Sequence, residues 1–177
     1  NDLLDFAIAS HDDDEIVRRF LAASLPSDVV QDLIAFLDAV HWPLAVRSSS
    51  LLEDSQFQPF TGVYETFMLP NNQIGMGERL EALLQAVKRV YASTFTSHAK
   101  AYVRATPYRL EEEKMAVILQ KVVGAVHGDR FYPDFAGVAR SWNFYPPPNL
   151  RPEDGVTAVA LGMGRTVVAG ERCLSFC

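Results

Sequence analysis

Residues 45–62, AVRSSSLLEDSQFQPFTG, place a cation, a run of hydroxyls and a glycine in one short stretch. Leu44, Ala45 and Val46 predict a buried strand that delivers Arg47 and Ser48 at its end, and Gly62 precedes a second strand-like run at 64–69. A guanidinium gives planar, paired hydrogen bonds to phosphate oxygens, and amides beside a glycine approach a phosphate without side-chain obstruction. The same residues allow a structural reading, with Arg47 paired to Glu53 or Asp54 and the serines forming turns.

The rest of the chain bounds the answer. Its 177 residues, 49% of them hydrophobic, suffice for one sizeable domain or two small lobes with a real core. A formal net charge of -6 with dispersed basic residues gives no footprint for nucleic acid. No apolar run reaches the roughly 18 residues needed to cross a bilayer, and the start lacks the pattern of a signal peptide, so the expectation is a cytoplasmic protein without a membrane partner. Cys173 and Cys177 and the scattered histidines His11, His41, His98 and His127 do not make a metal set. The chain begins without methionine and stops inside an apolar run, which reads as a fragment incomplete at both ends.

Along the chain, Asp12, Asp13, Asp14 and Glu15 look like a calcium loop. They precede apolar residues at helical spacing, however, and carboxylates in a first turn favour the helix dipole. Pro26 opens a second helix, and His41-Trp42-Pro43 turns the chain. Helices are predicted at about 78–92 and 97–104, with Lys88, Arg89, Lys100 and Arg104 on a solvated face. Met115 to Leu119 is a continuous apolar run that suits a buried strand leading into Gln120, Lys121 and Val122. A strand at 137–141, a proline loop at 146–148 and a strand at 156–161 entering Gly162-Met163-Gly164 complete an α/β (α+β) chain. Two small lobes, 1–110 with the phosphate loop at 45–66 and 111–177, are the expected division.

Val46-Arg47-Ser48 followed by Gly62-Val63-Tyr64-Glu65-Thr66 resembles the signature of the N-terminal nucleotide-binding domain of phosphoenolpyruvate synthase and pyruvate phosphate dikinase, an ATP-grasp-type fold. Phe135-Ala136-Gly137-Val138-Ala139 is similar to that family's hydroxyl-glycine-valine-alanine segment, and Gly162 to Gly170 to its glycine-leucine-glycine-glutamate segment. Here Ala136 stands for the hydroxyl residue and Arg165 for the glutamate. An arginine repels a metal and attracts phosphate, so that exchange is physically large.

The resemblance implies ATP with Mg2+ as ligands. It implies phosphate contacts from Arg47, Ser48, the amides of Thr61, Gly62 and Val63, and the backbone at Gly137. Gln120 would lie near the adenine amino group, with the backbone of Lys121 and Val122 along the base edge. Arg47 would be the catalytic residue, stabilising charge on the transferred phosphate. The metal ligands are unassigned, because the family's glycine-lysine loop and its metal-binding glutamate have no counterpart in these residues. The implied reaction passes phosphate from ATP through a phosphohistidine to pyruvate, with pyruvate bound only by domains absent here. The alternatives are a non-catalytic nucleotide-binding or interaction module, and a related phosphotransferase with another acceptor. Cut strand edges also imply a homodimer.

Overall fold

A computed structural model of the chain describes residues 2–50, 53, 62–168 and 171–177. The chain divides into two compact units, 1–122 and 123–177. The sequence put the division at 110; it falls later because the strand at 115–121 pairs along its whole length with the strand that carries Arg47. Among the described residues all strand pairing is antiparallel, which with the helices makes the chain α+β.

The first unit opens with α1 (Asp2–Ala9), a helix the sequence did not announce, followed by α2 (Asp13–Ala22) and α3 (Ser27–Ala39). The acidic run starts α2 as expected: Asp12 is the N-cap, and its carboxylate accepts the Glu15 amide at 2.9 Å. Asp13 then accepts the amide and hydroxyl of Ser97 at 2.8 and 3.0 Å, tying the start of α2 to the start of α5 (Ser97–Arg104). His41 is exposed at the turn, its Nε2 donating to the Asp38 carbonyl at 3.0 Å.

β1 (Leu44–Ser50) is the central strand of a three-stranded sheet, between β2 (Thr66–Leu69) and β3 (Met115–Lys121). Strand residues alternate between faces. Leu44 and Val46, with Phe67, Leu69, Met115, Val117 and Leu119, point to the face covered by α3 and by α4 (Met76–Ser93), where Leu37, Leu83, Val87 and Val90 complete the core. The run 115–119 is therefore not buried throughout: Ala116 and Ile118 are exposed, because helices cover one face of the sheet and not the other. A smaller cluster joins Val63 and Tyr64 to Ala99 and Val103 of α5.

Tyr64 donates to the Glu113 carboxylate at 2.7 Å. Burial, and then this hydrogen bond, push the phenol well above its ordinary pKa of 10.0. Below pH 10 Tyr64 is neutral in both the folded and the unfolded chain. Above it the unfolded phenol ionises and the folded one does not, so stability is lost as pH rises. Urea unfolding at about pH 8 and about pH 10.5 is expected to show a loss that becomes smaller in Tyr64→Phe. Equal pH slopes in the two proteins would contradict this.

The second unit holds a hairpin, β4 (Ala125–His127) and β5 (Arg130–Tyr132), and a three-stranded sheet in the order β6 (Phe135–Arg140), β7 (Val156–Leu161), β8 (Leu174–Phe176). A four-residue helix, α6 (Arg165–Val168), follows β7. Phe135 pairs with Leu161, and Thr157 and Val159 with Phe176 and Leu174, so one face carries a row of exposed apolar side chains. Among the described residues no single helix is long and apolar enough to cross a membrane.

Candidate functional site

The antiparallel register decides which sequence-predicted residues share a surface. On the face of the first sheet turned away from α3 and α4 lie Ala45, Arg47 and Ser49 from β1, Thr66 and Met68 from β2, and Ala116, Ile118 and Gln120 from β3. Arg47 sits between Thr66 and Ile118, and Ala45 pairs with Gln120. The guanidinium and the Gln120 amide are thus diagonal neighbours, and Arg47 Nη1 donates to Gln120 Oε1 at 3.3 Å. Met68 and Ile118 flank them, 55% and 43% exposed, giving a cation bordered by apolar surface.

Other predicted residues are placed differently. Ser48 points to the opposite face, is buried, and donates to Glu53 at 2.9 Å. Glu53 also accepts the Ser50 amide at 2.8 Å, and its own amide donates to the Ser50 hydroxyl at 3.1 Å. The Glu53 carboxylate is therefore a brace at the end of β1, and the structural reading of Arg47 as its partner gives way to the Gln120 contact. Asp54 and Thr61 lie outside the described residues. Gly62 has φ +80° with open space where a Cβ would be, so backbone conformation requires glycine there. Val63 is a core residue, which leaves its backbone as the part able to meet a ligand.

At the end of β3, the Lys121 ammonium lies 4.8 Å from the centre of the Trp42 ring. The Val122 amide donates to the Pro43 carbonyl at 2.9 Å, so that N–H extends the strand pairing. A base edge at this position would have the Val122 carbonyl, and not its N–H, available to it.

Gly137, considered within the second unit alone, lies in β6 opposite Val159. A Cβ at this position would collide with the Ala158 carbonyl oxygen and come within 3.2 Å of Val159 Cα. The sheet itself therefore demands glycine. Gly164 (φ +74°) is buried with its Cβ position 2.9 Å from the Ala136 methyl, which gives the small residue at 136 a packing reason. Gly137→Ala is expected to cost about 1–3 kcal/mol. Hydrogen exchange should accelerate at 135–140 and 156–161; unchanged protection there would refute the steric account.

One expectation from sequence is corrected here, and one buried cation was missed. Lys100 and Lys88 do not lie on a solvated face: Lys100 is buried with its ammonium on the Ala7 and Ser10 carbonyls, and Lys88 donates to the Leu21 carbonyl at 3.0 Å. Arg79 is buried as well and binds the carbonyls that end α3. Periodicity marks a helical face but does not show that another helix ends against it.

An exposed sheet face with one central guanidinium, an amide beside it and apolar flanks is chemically an anion-binding surface with room for a flat apolar group. The family model described as the pyruvate phosphate dikinase AMP/ATP-binding domain matches residues 2–173, and the chain belongs to that family. The chain is 28% identical over 158 residues, 88% of its length, to a rifampicin phosphotransferase of Bacillus cereus. It is 30% identical over 111 residues, 62% of its length, to one of Bacillus subtilis. It is 28% identical over 127 residues, 72% of its length, to a probable phosphoenolpyruvate synthase of Archaeoglobus fulgidus. It spans 16%, 12% and 14% of these relatives.

Proposed function

We propose that this chain is part of the ATP-binding domain, of ATP-grasp type, of a phosphotransferase that moves a phosphoryl group from ATP to an acceptor held elsewhere in the polypeptide. The observation that carries the reading is the Arg47–Gln120 pair on the exposed face of β1 and β3, in a chain of the AMP/ATP-binding family. Arg47 holds phosphate oxygens and stabilises the charge that develops during transfer. The amides at Gly62 and Val63 add neutral donors. Gln120 and the backbone of Lys121 and Val122 lie toward the adenine, with Met68 and Ile118 as apolar surface.

Mg2+ accompanies ATP in this reading. Among the described residues no three His, Cys, Asp or Glu side chains converge, and Glu53 is engaged with Ser48 and Ser50. The described residues do not by themselves gather a magnesium site.

Two acceptors are consistent with the relatives: a histidine that relays phosphate to pyruvate, as the similarity to a phosphoenolpyruvate synthase suggests, or a small-molecule hydroxyl, as the similarity to rifampicin phosphotransferases suggests. Calorimetry of the full-length protein with ATP and a non-hydrolysable analogue, with and without Mg2+, tests the reading. Binding with phosphoryl transfer supports it. Metal-independent binding without turnover points instead to a non-catalytic module, for which Arg165 and Ala136 are the motive, and absence of binding removes both.

A further inference from the structure

The end of α5 and the segment after it line a cavity of about 260 Å³ that the ATP reading does not use. Its wall carries three cations, Lys100, Arg104 and Arg109, and one carboxylate, Glu111. Three positive charges less one negative leave a local excess of two, in a chain whose formal net charge is -6.

The cations are poorly compensated. Lys100 is 4% exposed, and its ammonium donates to the carbonyls of Ala7 at 2.5 Å and Ser10 at 2.6 Å, both neutral. Burial holds its pKa below the usual lysine value; Asp13 opposes that shift and Arg104 adds to it. Arg104 and Arg109 are exposed, and neither is paired with a carboxylate among the described residues. Val103 and Leu110 supply an apolar wall beside the charges.

We propose that this cavity binds the phosphate monoester of a small organic molecule. Such a group carries about -1.5 to -2 charge at neutral pH, matching the local excess, and its oxygens suit the planar forks of two arginines. The apolar wall receives the organic part. The volume lies below the ~300–1,000 Å³ of pockets for drug-sized ligands, so the ligand is small. This assignment does not depend on the ATP reading, since none of its residues lies on the Arg47 sheet face.

Calorimetry of the whole chain with n-propyl phosphate, inorganic phosphate and butyrate tests it. Propyl phosphate is expected to bind at least tenfold more tightly than butyrate, and more tightly than inorganic phosphate. The double variant Arg104→Gln/Arg109→Gln should weaken propyl phosphate at least tenfold, and Arg18→Gln, at an exposed arginine of α2 outside the cavity lining, should leave it unchanged. Both arginines are exposed, so the double variant is expected to melt with the wild type, and a thermal scan checks this. Absence of propyl phosphate binding, equal binding of butyrate or inorganic phosphate, or unaltered affinity in the double variant overturns the proposal. So does a loss confined to Arg47→Ala, which would move the ligand to the sheet face.

Discussion

Replacing Arg79 with alanine is expected to destabilise the first unit by about 3–5 kcal/mol, more than any other single change in that unit proposed above. Arg79 is 6% exposed, and its guanidinium donates to Asn71 Oδ1 at 2.9 Å, to the Leu37 carbonyl at 2.7 Å and to the Val40 carbonyl at 2.5 Å. The two carbonyls belong to the last turn of α3 and its C-cap, where the helix dipole favours a cation. Asn71 (φ +53°) adds donors to the Val40 carbonyl at 3.0 Å and the Trp42 carbonyl at 3.1 Å. Alanine would leave the Leu37 carbonyl without its donor in a buried site, at about 1–3 kcal/mol, and open a cavity besides.

Arg79→Lys should lose less, keeping the charge without the fork, and Arg79→Met should fall between, because methionine fills volume and removes the cost of a buried charge. Urea unfolding with an unchanged slope would read these losses directly. A cost below about 1 kcal/mol for alanine would mean that water replaces the guanidinium. The network also matters to the site: it fixes the turn at 40–43, which feeds β1, and Asn71, which follows β2, and so holds the two strands that bring Arg47 opposite Thr66.

This network marks the limit of what the sequence discloses. The helices at 76–93 and 97–104 and the strand at 156–161 were legible because their apolar spacing, caps and flanking glycines act locally. Arg47 and Gln120 were legible singly, although Arg47 lies in the middle of β1 and not at the strand end the sequence suggested, and their side-chain contact depends on a register between strands some seventy residues apart. The inward direction of Ser48 follows from alternation along β1, which puts it on the face of Leu44 and Val46 once Arg47 lies within the strand. Gly137 shows the opposite limit. Its motif suggested approach to a ligand, whereas its own neighbouring strand already forbids a side chain. A glycine motif records that something comes close without saying what does. Lys100 and Arg79 were misread or missed because helical periodicity assigns charges to solvent by default, and only packing shows a neighbouring helix whose terminal carbonyls accept them.

Arg47→Ala, made in the full-length protein, is expected to lower phosphoryl transfer by about 10²–10³-fold while leaving stability within about 0.5 kcal/mol of wild type. The separation follows from geometry. Arg47 is exposed and its bond to Gln120 is long at 3.3 Å, so the fold loses little, whereas a guanidinium opposite a transferring phosphate acts where charge develops. Arg47→Lys should recover part of the loss, since an ammonium supplies charge without paired donors. Gln120 separates two roles. If its amide reads adenine, Gln120→Ala changes the preference between ATP and GTP. If it orients Arg47, the variant slows transfer by roughly tenfold with either nucleotide and shows mainly in kcat. The observed hydrogen bond favours orientation, and Arg47→Ala/Gln120→Ala should then be no slower than Arg47→Ala alone, because nothing remains to be oriented. Additive losses in that cycle would return Gln120 to the base, and full activity in Arg47→Ala would remove the sheet face from the reaction altogether.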